Sequence, residues 1–222
     1  MRDALKCGAL FDKNGASVAL PYLFEFTYPW EALPHIKEIV LRIGAGLDDS
    51  YERLGEDVWV SKSARVAGSA YISGPAIIMD GAEIRHSAYI RGSALVGRGA
   101  VVGNSCELKN CLLFDRAQAP HFNYIGDSIL GEEAHLGAGA VTSNLKSDKS
   151  PVSILTPEGK IQTGLRKLGA ILGDLVEVGC NAVLFPGSVV GKGSTVYPLA
   201  RVRGYVPECS IYKGEGNVIR KV

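Results

Sequence analysis

The sequence predicts an all-β fold, a parallel β-helix of six-residue repeats with a small helical cap at its N-terminal side. Three observations predict this fold. Aliphatic side chains recur at every sixth residue from Val60 to Leu108 without exception. A small residue stands four positions after each of the first eight, from Ala64 to Cys106. Glycine or serine fills many of the positions between them. Repeats that stay in phase over such a length indicate stacked copies of one structural unit.

Each repeat has the length of one short strand, with a large inward side chain and a small one near the corner. Three repeats, eighteen residues, would close one triangular coil. Successive coils would then stack at the strand spacing of about 4.8 Å, so that their backbone groups pair with one another.

The chain divides into three predicted regions. They are an N-terminal cap with one helix at 1–57, the β-helix at 58–206 and a C-terminal tail at 207–222. Within the cap, residues 31–47 are expected to be helical, because their apolar side chains share one face and Pro34 falls in the first turn. Gly44 and Gly46 are expected to end that helix. The helix would cover the open first coil, which would otherwise expose its interior and its unpaired edge.

The six-residue period is interrupted twice. It fails at Pro120 and resumes at Ile125, and it fails again over a polar, basic stretch at about 145–169. We expect this second stretch to be an excursion from the coil, and long excursions within compact domains are usually functional. His121 lies at the first interruption, so the sequence around it is the first place to look for chemistry.

Composition excludes several classes of partner. The chain has 24 basic and 23 acidic residues, a net charge of +1, so no overall field attracts nucleic acid or an anionic membrane. The longest apolar runs are too short to span a membrane. Five scattered cysteines without CxxC spacing predict reduced thiols and a cytoplasmic protein. No two histidines have metal-site spacing, so we expect no metal.

Three stretches carry a resemblance to a known family. They are VGNSCELK at 102–109, HFNYIGD at 121–127 and LGAGAVTSN at 136–144. Over about residues 58–205 the chain resembles the acetyltransferase half of the bifunctional enzymes that make UDP-N-acetylglucosamine. The stretch at 163–174 is similar to the archaeal branch of sugar-1-phosphate nucleotidylyltransferase/acetyltransferases. The resemblance implies a left-handed β-helix, a homotrimer with shared sites, and acetyl transfer from acetyl-CoA to the amine of glucosamine 1-phosphate or a similar amino sugar 1-phosphate.

The resemblance also implies roles for individual residues. His121 matches the catalytic base, a role that suits a side chain with a pKa near neutrality. Glu107 matches an acidic residue of the same site that orients the sugar or its amine. The residues that match contacts to the acceptor sugar or its phosphate are Arg91, Lys109, Tyr124, Asn144 and, after a one-residue shift, Lys149 or else Lys146. Ala138 matches a residue whose backbone meets the acetyl-CoA thioester, and the small Gly139 beside it would leave room for the pantetheine arm. By their charge alone, Arg166 and Lys167 are either contacts to the CoA phosphates or solvated side chains.

Two departures from the family pattern bear on function. His135 stands where the family usually has asparagine, so its role is open between a substrate contact and a solvated side chain. The nucleotidyltransferase half of the bifunctional enzymes needs a Rossmann-like domain with a glycine-rich loop, and residues 1–57 cannot form one. We therefore expect no nucleotidyltransferase activity.

Two alternatives to this function are left open by the sequence. One is a non-catalytic β-helix that binds a sugar nucleotide or serves as a scaffold subunit. The other is an acyltransferase that uses a different acceptor.

Overall fold

A computed structural model describes residues 2–221, and its strands wind into a β-helix with three faces. The first face contains β2 (Val58–Ser61), β5 (Ala76–Ile78), β8 (Ala94–Val96), the second half of β10 (Glu107–Leu113), the second half of β12 (Tyr124–Leu130), β17 (Ala170–Leu172), β20 (Ser188–Val190) and β23 (Tyr205–Val206). The second face contains β3 (Arg65–Val66), β6 (Glu83–Ile84), β9 (Val101–Asn104), β11 (Gln118–His121), β13 (His135–Leu136), β18 (Glu177–Val178), β21 (Thr195–Val196) and β24 (Ser210–Gly214). The third face contains β4 (Tyr71–Ile72), β7 (Tyr89–Ile90), the first halves of β10 and β12, β14 (Val141–Thr142), β19 (Val183–Leu184) and β22 (Arg201–Val202).

Neighbouring coils pair in parallel on every face, and the repeated aliphatic residues form one buried interior. Val60, Ile78 and Val96, for example, follow one another in register on the first face and all face inward. The predicted fold, an all-β left-handed parallel β-helix with a helical N-terminal segment, is confirmed.

The first interruption of the period lies elsewhere than the sequence suggests. Ala94 pairs with Cys111, and Cys111 pairs with Ser128, so these two coils each contain 17 residues instead of 18. The missing residue lies in the turn from the third face to the first face, where Asn110 alone adopts the positive φ that Gly92 and Ser93 share one coil earlier. The corner that carries His121 keeps the normal spacing. The prediction that the repeat breaks at Pro120 is therefore wrong.

The N-terminal segment consists of short helices. They are a 3₁₀ helix (Arg2–Leu5), α1 (Cys7–Leu10), α2 (Leu20–Leu23), a second 3₁₀ helix (Pro29–His35) and α3 (Ile36–Ala45). The helix predicted to cover the open first coil, α3, lies instead along the side of the β-helix against β5, β8 and β10. The reason is that the middle residues of the first-face strands, such as Ile77, Leu95 and Leu112, are aliphatic although they face outward. Together with the N-terminal segment they form a second buried cluster, here called the outer core.

Strands pair with both ends of the β-helix. Strand β1 (Tyr51–Gly55) runs antiparallel to β2 and covers the first edge of the first face. At the other end β24 still pairs in parallel with β21, and β25 (Asn217–Arg220) folds back on it. The residues predicted to form a tail beyond 206 thus continue the second face and then cover its edge.

The excursion is inserted between two adjacent coils. Leu130 pairs with Leu172, a step of 42 residues, so the first face continues in register across the insertion. Within it β15 (Ser153–Thr156) and β16 (Gly159–Gln162) form an antiparallel hairpin. Val152 and Ile154 are buried in the outer core. The predicted loop is therefore a folded, anchored element.

Two further findings concern the whole described chain. No helix within residues 2–221 is long and apolar enough to cross a membrane. All five cysteines are unpaired, with Cys7, Cys106 and Cys111 buried and Cys180 and Cys209 exposed.

Candidate functional site

The third face carries most of the predicted acceptor-binding residues. Glu107 lies in register with Tyr89 on one side and Tyr124 on the other, in three successive coils. Because side chains alternate along a strand, Lys109 points outward like Glu107, and the intervening Leu108 is buried in the interior. The structure therefore brings Glu107, Lys109 and Tyr124 together on one surface.

Arg91 and Glu107 form an ion pair between successive coils. The Nη1 atom of Arg91 donates a hydrogen bond to Oε1 of Glu107 across 2.7 Å. The guanidinium also lies 5.9 Å from the centre of the Tyr89 ring. Both side chains remain partly open to solvent, so a ligand can still reach them. The carboxylate that the sequence assigns to the substrate is thus oriented by the arginine beside it.

Asp127 is the centre of a polar cluster that the sequence analysis did not assign. Asp127 is buried, with 6% of the residue exposed. It accepts hydrogen bonds from Asn110 Nδ2 at 2.9 Å and from Asn144 Nδ2 at 2.5 Å. The ammonium of Lys109 lies 3.9 Å from Asp127 Oδ2. Asp127 therefore fixes Asn144 and Lys109, two of the predicted substrate contacts. The sequence did contain a signal for Asp127: it is a polar residue that follows Gly126 at a corner, one coil after Asn110.

Tyr124 reaches the same cluster over a glycine. Asn144 Nδ2 donates a hydrogen bond to the Tyr124 hydroxyl oxygen at 3.3 Å. A Cβ atom at Gly126 would lie 2.5 Å from that oxygen, so the phenol lies directly against the glycine. Burial raises the pKa of Tyr124, and the negative charges of Asp127 and Glu107 raise it further. The phenol is therefore a hydrogen-bond donor at neutral pH.

His121 lies at the corner between the second and third faces. It ends β11, and its side chain is exposed. Among the described residues its imidazole has no hydrogen-bond partner. Its backbone N–H donates to Asn123 Oδ1 at 3.1 Å. The imidazole is thus held at the edge of the third face with both ring nitrogens available.

Asn123 anchors this corner and was also missed from the sequence. The residue is only 2% exposed. Its Nδ2 atom donates to the carbonyl oxygens of Gly137 and Ala140 in the next coil, both at 2.9 Å. Because the same amide accepts the N–H of His121, it joins the histidine corner to the following coil.

The residues predicted to contact the thioester lie one coil beyond His121 at the same corner. The Gly139 N–H donates to the His121 carbonyl oxygen at 3.0 Å. Ala138 precedes it, and its own N–H meets no acceptor among residues 2–221. An unpaired N–H next to a histidine could donate to the carbonyl oxygen of a bound thioester.

The remaining predicted residues surround a cavity of about 530 Å³ at the opposite edge of the third face. Its lining includes Lys149, Arg166 and Lys167 from the excursion, with Asn110 and Asp127 from the shortened corners. Lys149 and the Arg166–Lys167 pair, assigned separately to acceptor and CoA, thus lie together.

Two other lysines, Lys146 and Lys109, lie near this edge of the third face. Lys146, the alternative to Lys149, instead donates to Ser150 Oγ at 2.5 Å. Burial lowers the pKa of Lys109, and the nearby charges of Lys167 and Arg91 lower it further, against the opposing charge of Asp127. Lys109 therefore connects the third face to the cations around the cavity.

His135 is not part of this surface. It lies on the second face, and its Nδ1 atom is 2.8 Å from Glu177 Oε2. Among the described residues no group of histidine, cysteine, aspartate and glutamate is arranged to hold a metal ion.

Comparison with known proteins gives one family and several partial relatives. Residues 72–204 match the family described as the GMPPB C-terminal domain. "Bifunctional protein GlmU" of Methanococcus maripaludis is 37% identical over 119 residues, which cover 53% of this chain and 29% of that protein. The "bifunctional sugar-1-phosphate nucleotidylyltransferase/acetyltransferase" of Sulfurisphaera tokodaii is 36% identical over 98 residues, covering 44% of this chain and 24% of that protein. The chain thus spans less than a third of these two relatives.

Solved structures match more weakly. PerB from Caulobacter crescentus, solved with CoA and GDP-perosamine, is 20% identical with a TM-score of 0.32, over 69% of this chain and 53% of that chain. The acetyltransferase domain of PglB from Neisseria gonorrhoeae is 15% identical with a TM-score of 0.32, over 90% of this chain and 76% of that chain. The resemblance to the acetyltransferase half of the bifunctional enzymes is confirmed by the partial relatives. With more than half of its residues matched, the chain belongs to the GMPPB C-terminal domain family.

Proposed function

We propose that this protein transfers an acetyl group from acetyl-CoA to the amine of an amino sugar 1-phosphate. The observation that carries the proposal is the arrangement at the His121 corner. Within the described chain, 2–221, an exposed imidazole without a hydrogen-bond partner lies beside a face lined by Glu107, Lys109 and Tyr124. One coil further lies the N–H of Ala138, which is unpaired within the same residues. A base, an acceptor surface and a donor for the thioester carbonyl are thus adjacent.

The chemistry at this corner would proceed by acyl transfer. The substrate amine attacks the thioester carbonyl carbon, and His121 accepts the proton that the nitrogen loses. The carbonyl oxygen gains negative charge, which the Ala138 N–H can stabilise. The carbon–sulfur bond then breaks, the amide remains on the sugar, and the proton held by His121 goes to the departing CoA sulfur.

The acceptor phosphate would lie toward Arg91 and Lys109. A guanidinium and an ammonium match a phosphate by charge and by hydrogen bonding. The ion pair with Glu107 keeps Arg91 in place before the phosphate arrives. Tyr124 and Asn144 would then bind sugar hydroxyls, and this surface accounts for the phosphate that is attached directly to the sugar, on the carbon next to the ring oxygen.

Release of CoA thiol from acetyl-CoA in the presence of glucosamine 1-phosphate tests the proposal. We expect turnover by the natural chain and none by His121→Ala. His86→Ala is a matched control, because His86 occupies the same corner two coils earlier, where its carbonyl accepts the Ser105 N–H. If His121→Ala retained turnover, His121 would not be the catalytic base.

A specific observation favours a second candidate, a non-catalytic β-helix that binds a sugar nucleotide. General bases are commonly oriented by a further hydrogen bond, and the His121 imidazole has none among the described residues. Calorimetric titration separates the two candidates. If neither acetyl-CoA nor CoA binds at millimolar concentration, the protein is not an acetyltransferase.

We also propose a homotrimer in the cytoplasm. Phe122, next to His121, is 62% exposed. In a trimer, a neighbouring subunit would cover this apolar side chain. The unpaired cysteines support a reducing compartment. Light scattering after gel filtration gives the number of chains, and a monomer at micromolar concentration would contradict the trimer.

A further inference from the structure

We propose that the cavity between the excursion and the N-terminal segment binds a nucleoside diphosphate group carried by the acceptor. The proposal rests on the acetyl-transfer function above and names the acceptor more closely as a nucleotide-linked amino sugar. The cavity has a volume of about 530 Å³, which falls in the range of about 300–1,000 Å³ for small-molecule sites. Its walls come from the N-terminal segment, from the excursion and from the corner residues Asn110 and Asp127.

Positive charge around this cavity is not balanced by the protein. Lys149, Arg166 and Lys167 line it, and within residues 2–221 none of them forms an ion pair with a carboxylate. Asp127 is the acidic residue of the lining, and Lys109 already lies 3.9 Å from it. Three cations that line one cavity repel one another, so binding of an anion there would be favourable.

The rest of the lining suits an apolar body attached to that anion. Leu33, Pro34, Leu145 and Leu165 line the same cavity. A single sugar phosphate has no apolar part, whereas a nucleotide joins a planar base to its phosphates. Asn110 adds an amide, held by Asp127 and by the Leu33 carbonyl oxygen at 3.2 Å. Cations on one side and aliphatic groups on the other therefore match a nucleoside diphosphate.

Position assigns this nucleotide to the acceptor and not to CoA. Asp127 lines the cavity and contacts Lys109 and Asn144 at one edge of the third face. The residues proposed for the thioester, Ala138 and Gly139, lie at the opposite edge, beyond His121. A sugar on the third face thus has its phosphate side toward the cavity and its reacting side toward the histidine.

The experiment titrates the full chain with UDP and with GDP in a calorimeter, and measures the KM for acetyl-CoA separately. The test variant is Arg166→Ala combined with Lys167→Ala. Lys160→Ala is the control, since it is an exposed lysine on the hairpin of the same excursion. We expect at least one nucleoside diphosphate to bind, the double variant to weaken it about tenfold or more, and the control to match the natural chain. The KM for acetyl-CoA should be unchanged throughout.

Three results would overturn the proposal. The first is that neither nucleotide binds at millimolar concentration. The second is that pyrophosphate binds as tightly as the nucleotides, so that the cations form a general anion-binding patch; the third is that the double variant raises the KM for acetyl-CoA, which would assign the cavity to CoA. The His121→Ala assay reports on acetyl transfer independently, so a failure here is distinguishable from a failure of the proposed function.

Discussion

Asn144 donates a hydrogen bond to the Tyr124 hydroxyl oxygen. This bond joins the residue just before the excursion to the middle of the third face. The phenol crosses Gly126 to make this contact, and a Cβ atom there would lie 2.5 Å from the phenol oxygen and 2.8 Å from Asn144 Nδ2. Since both clashes involve side-chain ends, Gly126→Ala should displace the tyrosine and leave the fold intact. We expect the KM for the acceptor to rise about tenfold or more, because an oriented hydrogen bond is lost.

Gly68→Ala is the control for this change, because no atom lies within 4 Å of a Cβ placed at Gly68. Circular dichroism and acceptor kinetics on both variants give the result. An unchanged KM in Gly126→Ala would show that the Tyr124 contact does not bind substrate.

Asp127→Asn tests the cluster around the buried carboxylate. The substitution keeps the shape but removes the charge next to Lys109 and presents an amide nitrogen to one of two amide donors, Asn110 or Asn144. A buried donor without a partner costs about 1–3 kcal/mol. We expect the free energy of unfolding in urea to fall by that amount, whereas Asp49→Asn, at an exposed position, should leave it unchanged. Equal stabilities would remove Asp127 as the organising residue.

The lowered pKa of Lys109 predicts a pH dependence of acceptor binding. Its pKa in the folded chain lies below the ordinary 10.5, chiefly through burial. The folded state therefore binds fewer protons than the unfolded chain between these two values, and stability from this group rises with pH there. Binding of a phosphate weakens over the same interval, because the positive charge is lost. The KM for the acceptor should rise as pH approaches 10.5 from below.

Lys109→Arg should remove this alkaline rise, since a guanidinium stays charged. Acceptor KM measured from about pH 7 to about pH 10 in both proteins gives the comparison. If the arginine variant shows the same rise, another group is responsible.

The outer core makes a prediction about stability alone. Leu112 is fully buried between the first face and the N-terminal segment. Leu112→Ala should lower the free energy of unfolding by about 2–5 kcal/mol, as for other buried leucines. Leu54→Ala, the same change at a 59% exposed position, should cost about 0.5 kcal/mol or less. Equal losses for the two variants in urea would show that the N-terminal segment does not pack as described.

The solenoid could be predicted from the sequence because its period is carried by inward residues such as Ile90 and Val96. The position of α3 could have been predicted as well. Every third repeat has a second aliphatic residue beside the inward one, and these are Ile77, Leu95, Leu112, Ile129, Ile171 and Val189. An aliphatic residue on the outside of a strand requires a cover, and the N-terminal segment supplies it.

The site was less predictable, because it depends on corners. Arg91, Lys109 and Tyr124 share a face because the period is regular there. Asp127 and Asn123 act through hydrogen bonds to residues of other coils, and such contacts leave no periodic signal in the chain. The gathering of Lys149 with Arg166 depends on how the excursion folds, which repeats alone do not determine.

The excursion leaves the β-helix and returns to it without altering the pairing of Leu130 with Leu172. The cavity cations Lys149, Arg166 and Lys167 are therefore encoded by a length of chain separate from the paired strands. Residues 145–169 could be exchanged for the corresponding segment of a relative while the parallel ladders of the β-helix stay in place. We therefore expect such an exchange to change which nucleotide the proposed cavity site binds, without disturbing the strands of the β-helix.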